Sequence, residues 1–192
     1  MISGVQGVAG IGHNGGPEMA GFQWRRHCWS QARARLLPVL PVEVVRLRVK
    51  RAQDLGLDYK TYAGVRAATG RDIIAFLFSS NALRLEKLLR VPERERERLL
   101  SLRGVGRLAL AQSMAADQLL IANGDVLDGA GQAPLPMESF RATAERLRAV
   151  LGRSPGDAVV LVASDAPWER DWTAAGKLAA MIPAERFFTP AA

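Results

Sequence analysis

The chain has 192 residues, 48% of them apolar, and carries a formal net charge of +7. That is enough for one domain with appendages and a sizeable core. The single cysteine, Cys28, excludes an intramolecular disulfide framework, and no apolar run is long enough to span a bilayer as a helix.

The charge is uneven. Residues 1–90 hold 14 Lys and Arg against 6 Asp and Glu, and residues 91–192 hold 12 against 13. A basic first half implies an anionic partner, with nucleic acid the first expectation. No Lys or Arg precedes Arg25, which argues against a secretory signal peptide. Together with the lone cysteine, this leads to the expectation of a cytoplasmic protein.

Residues 1–21 contain seven glycines and few groups able to build a core, so they read as a flexible tail. Within it, Gly12-His-Asn-Gly-Gly-Pro17 resembles a leader found in small, uncharacterised bacterial and phage-related proteins. That resemblance raises a protein partner docked through residues 1–21. His13 has no second ligand at useful spacing, and no metal site or cofactor is expected. Residues 22–192 read as a single α/β domain whose first part, 22–69, is helical and basic.

Gln23 to Leu37 is predicted helical, with Trp24, Cys28, Ala32 and Leu36 on one stripe. Val42 to Leu55 is the clearest amphipathic helix. Val42, Val45, Val49 and Ala52 form its apolar face, and Arg46, Arg48, Lys50 and Arg51 a dense basic one. Like charges four residues apart repel unless an anion neutralises them, which makes these four candidate nucleic-acid contacts. Asp58 to Thr69 keeps helical spacing.

Ile73 to Phe78 is apolar at every position, as expected of a strand covered on both faces in a parallel sheet. Ser79-Ser80-Asn81 follows, then a predicted helix over 82–90. Glu93 to Arg98 alternates in sign and reads as a solvated helical face. Next, Leu99-Leu-Ser-Leu-Arg-Gly-Val-Gly-Arg-Leu-Ala-Leu-Ala-Gln-Ser-Met114 places Gly104-Val105-Gly106 between two apolar segments. This stretch resembles the helix-hairpin-helix of non-specific DNA-binding proteins. Arg103 stands where a proline is common, and Leu108 where a basic residue is common. The resemblance implies a helical hairpin over about 93–121, its second helix running from Leu108 to Leu120. It also implies that the backbone N–H groups of Gly104 to Arg107 hold a phosphate, flanked by Arg103 and Arg107.

Asn123 to Pro136 reads as a loop, and Met137 to Leu151 as a helix with Phe140, Ala144, Leu147 and Leu151 inward. Ala158 to Ala163 is a second fully apolar strand. Ser164-Asp165-Ala166-Pro167 opens a helix with Trp168, Trp172, Ala175 and Ala179 inward, and Pro183 ends it. Arg186 to Thr189 reads as a short last strand.

The fold expected is therefore α/β: helix-rich, with a small, mostly parallel sheet of two or three strands and an inserted helical hairpin. Parallel sheets bind ligands at the carboxyl ends of their strands. Ser79, Ser80, Asn81, Ser164 and Asp165 are accordingly candidates to line one crevice. Three readings stay open: a nucleic-acid-binding accessory protein contacting the phosphate backbone, an α/β enzyme or small-molecule binder using the strand ends, and an adaptor docking through its tail. No catalytic set is legible.

Overall fold

The computed structural model describes residues 40–85 and 89–189. Met1–Val42 form a unit of their own, almost all of it outside the described residues. The expected Gly-rich tail, its leader, the Gln23–Leu37 helix, Cys28 and both histidines therefore lie outside them. The second unit, Glu43–Ala192, carries the α/β fold.

Its elements are α1 (Val42–Asp54), α2 (Tyr59–Thr69), β1 (Ala75–Ser79), α3 (Glu93–Ser101), β2 (Gly106–Ala111), α4 (Ala116–Asn123), β3 (Gly129–Gln132), α5 (Phe140–Leu151), β4 (Val159–Ala163), α6 (Pro167–Ala175), β5 (Ala180–Pro183) and α7 (Ala184–Phe188). Local chemistry fixes several ends. Asp58 caps α2 by accepting from the Thr61 N–H, and Gly70, at φ +72°, closes that helix in the left-handed region. Ser139 caps α5 by accepting from the Ala142 N–H.

The sheet has five strands in the order β3-β2-β1-β4-β5, every pair parallel. Two or three strands were expected. The extra ones are β2, β3 and β5, each hidden in the sequence for a different reason.

Gly106-Arg-Leu-Ala-Leu-Ala111 was expected to open a second hairpin helix, and it is β2 instead. Leu and Ala are the best helix formers, so local propensity pointed the wrong way. The tertiary setting decides. Leu108 and Leu110 pack on one face of the sheet, and Ala109 and Ala111 on the other. This period-two pattern suits a strand covered on both sides. The 93–121 stretch is thus helix, strand, helix, not a helical hairpin.

β3, Gly129-Ala-Gly-Gln132, was expected to be loop. Its glycines serve close packing: a Cβ on Gly131 would clash with the Val150 side chain on α5. β5 lies at the sheet edge, where Pro183 forgoes a ladder hydrogen bond at little cost before leading into α7. Arg186 and its neighbours are accordingly helical. Of the helix expected over 82–90, residues 86–88 lie outside the described residues, and 82–85 form a compact turn, with Leu83 and Leu85 N–H donating to the Ser79 and Ser80 carbonyls.

Alternate strand residues point into two cores. One holds Phe76, Phe78, Val160, Val162 and Ile182 with side chains from α1, α2, α3, α4 and α7. Within it the rings of Phe76, Phe78, Phe187 and Phe188 meet at centroid distances of 5.0–6.1 Å. The other holds Leu77, Leu110, Val159 and Leu161 with Leu147 and Leu151 of α5 and Trp172 and Ala175 of α6. Phe140 and Trp168, expected inward, are exposed at the rim of α5 and α6.

Candidate functional site

A sheet of this order is wound outward from its centre. β1 leads to β2 on one side, while β4 leads to β5 on the other. The chain therefore diverges beyond the carboxyl ends of β1 and β4, and a crevice opens there. It forms a cavity of about 290 Å³, lined by Asn81 and Arg84 after β1, Ser164 and Asp165 after β4, and Pro183 and Glu185 at β5 and α7. Of the five crevice residues picked from sequence, Asn81, Ser164 and Asp165 line it.

Ser79 and Ser80 are buried behind it. The Ser79 hydroxyl donates to Glu169 Oε2 at 2.8 Å and accepts from the Ala82 N–H, which folds the turn after β1. Ser80 donates to Gln112 Oε1 and accepts from the Gln112 N–H. Ser79 has no exposed surface, so it cannot meet a substrate.

What organises the crevice is Glu169, in the first turn of α6 and fully buried. Its carboxylate accepts four hydrogen bonds. Ser79 Oγ and the Ser164 N–H donate to Oε2 at 2.8 and 2.7 Å; Asn81 Nδ2 and Gln112 Nε2 donate to Oε1 at 2.9 and 2.8 Å. The carboxyl ends of β1, β2 and β4 are thereby tied to one side chain. Because the carboxylate accepts, the Asn81 amide must turn its NH2 inward. Its Oδ1 accepts no hydrogen bond among the described residues. Neither Asp165 nor Glu185 forms an ion pair with another described residue. Arg84, at φ +58°, lines the same cavity and brings its Nε to 3.3 Å from Glu95 Oε1. Sequence reasoning missed Glu169 and Gln112. Both residues acquire meaning only once three strands converge.

The candidate nucleic-acid residues lie at α1 and the segment leading into β2. Structure joins these two regions through Arg51, whose guanidinium donates to the Arg103 and Gly104 carbonyls, to the Ile73 carbonyl and to Asp72 Oδ2. The segment's amides are largely engaged. Arg103 N–H donates to the Asp54 carbonyl, Gly106 N–H to the Ile74 carbonyl and Arg107 N–H to Asp128 Oδ2. The expected phosphate cradle is therefore closed at Gly106 and Arg107, because strand pairing and an aspartate take their donors first. Arg107 also binds Asp128 through its guanidinium at 2.9 Å, which holds that carboxyl below the usual aspartate range. Arg46, Lys50 and Arg103 stay exposed, with Arg48 partly so. Arg46 lies 3.7 Å from Glu43 in an exposed pair.

Among the described residues, no group of three or more His, Cys, Asp or Glu side chains is arranged to hold a metal ion, and no helix is long and apolar enough to cross a membrane. No protein-family model, characterised protein or solved structure matches the chain.

Proposed function

We propose that the protein is an α/β ligand-binding module whose crevice takes a small molecule bearing a cationic, hydrogen-donating group such as an ammonium or guanidinium. One observation carries this reading: the Glu169 network holds the Asn81 NH2 on a buried carboxylate, and Asn81, Asp165 and Glu185 all line the cavity. All three accept hydrogen bonds, and two are anionic when ionised. The cavity suits a compact molecule rather than a dinucleotide.

The test is thermal denaturation and calorimetric titration with primary diamines, guanidines and amino sugars, set against polyols and carboxylates of similar size. A ligand present at about a hundred times its Kd adds roughly 2.7 kcal/mol of stability. Asp165→Asn combined with Glu185→Gln removes that gain without unfolding the protein. If no cationic compound stabilises the protein, or if the double variant responds like the parent, the reading is wrong.

A second reading, a nucleic-acid-binding accessory protein contacting the phosphate backbone, is favoured by the Arg51 contacts. They bring α1, with Arg46, Arg48 and Lys50, against the segment bearing Arg103. Binding of this kind is indifferent to sequence and weakens steeply with salt. Anisotropy titrations of arbitrary duplex DNA at two salt concentrations test it. Lys50→Glu together with Arg103→Glu weakens binding by tenfold or more, on the order of 1.4 kcal/mol. Absence of binding at low salt rules it out.

A further inference from the structure

Away from the crevice, the start of α5 and the start of α6 enclose a groove of about 190 Å³ with Trp172 and Thr143 buried beneath it. Its rim is apolar and wet. Leu135 is 56% exposed, Met137 101%, Phe140 64% and Trp168 39%. Together they leave on the order of 500 Å² of apolar surface in water, at the upper end of what a monomer ordinarily shows.

The turn that presents Met137 is held in place against its own preference. Met137 lies at φ +63°, in the left-handed region that a long side chain avoids. A clamp keeps it there. Arg146 Nε donates to both Glu138 carboxylate oxygens at 2.8 and 3.1 Å, Glu138 Oε2 accepts from the Leu135 N–H, and the Glu138 N–H donates to the Leu135 carbonyl. Strain that the surroundings impose, used to push an apolar side chain fully into solvent, gives the isolated fold nothing.

We propose that this face is the contact by which two copies of the chain form a two-fold dimer. An isologous interface must carry both halves of its own fit, and this one has a projecting Met137 beside a groove able to receive its counterpart. Charge agrees with a second copy. Arg146 pairs with Glu138 and Arg141 with Glu145, which leaves Asp171 the one groove-lining carboxylate without an ion pair among the described residues, so a second copy meets little like charge. A strongly charged partner finds no complement here. The exposed apolar area is more than half of what one partner contributes to a standard interface, roughly 800 Å².

Sedimentation velocity and light scattering on the full chain over a concentration series test the proposal. The parent doubles its molar mass as concentration rises. Met137→Glu and Phe140→Glu, both on exposed side chains, stay monomeric with unchanged far-UV circular dichroism. Leu47→Glu, an exposed site on α1, still dimerises. A parent that is monomeric throughout, a dimer that survives both substitutions, or a dimer that Leu47→Glu also dissolves overturns it.

Discussion

Replacing Glu169 by Gln keeps the side chain's shape but changes one oxygen to an NH2. Each carboxylate oxygen receives two donors, so whichever way the amide turns, two N–H or O–H groups face another donor. Buried and unsatisfied, they cost about 3 kcal/mol in total, read as a lower midpoint in urea denaturation. Ser79→Ala leaves Glu169 three donors but takes the acceptor from the buried Ala82 N–H, so its cost is about 2 kcal/mol. Asn81, Ser164 and Asp165 were legible as crevice residues because they follow apolar strands, where the parallel-sheet rule applies without knowledge of strand order. Glu169 was not legible. Its role comes from partners on β1, β2 and the end of β4, and no local pattern records their meeting.

At the scale of elements, α1 shows how a basic face divides its labour. Arg51 is a tie. It joins α1 to Asp72 and Ile73 before β1 and to Arg103 and Gly104 before β2. Lys50, its neighbour, is exposed and makes no such contact. Arg51→Ala therefore lowers stability by about 2 kcal/mol, whereas Lys50→Ala stays within roughly 0.5 kcal/mol, both measurable by chemical denaturation. From sequence the two looked equivalent, since helical spacing tells which residues share a face and not what stands opposite. β1 and β4 were readable because five or six consecutive apolar residues leave little choice. β2 was not: its Leu-Ala alternation is also good helix sequence, and only the flanking strands decide. β3 was missed because glycine signals a turn until a neighbouring helix is known to need the space.

For the molecule as a whole, the sheet separates two cores and two tasks. The face covered by α1, α2, α3, α4 and α7 carries the basic helix and the aromatic cluster, and the face covered by α5 and α6 carries the exposed Met137 rim. α6 serves both sites, with Glu169 buried toward the crevice and Trp168 on the rim. The α/β class was legible from strand and helix periodicity alone. The full five-strand order was not, because parallel pairing depends on residues far apart in the chain.

β1 is the centre of that order and the first strand among the described residues, paired with β2 on one edge and β4 on the other. On the ribosome its two edges are therefore satisfied at different times. The β2 partner emerges soon after it, but the β4 edge stays bare until Val159 leaves the exit tunnel. Over the long stretch between Ser79 and Val159 the nascent chain thus presents the Phe76-Leu-Phe78 backbone as an open template, the configuration that invites pairing with a stranger. A premature stop within α5 would make that interval permanent, leaving a half-sheet whose innermost strand is its outermost.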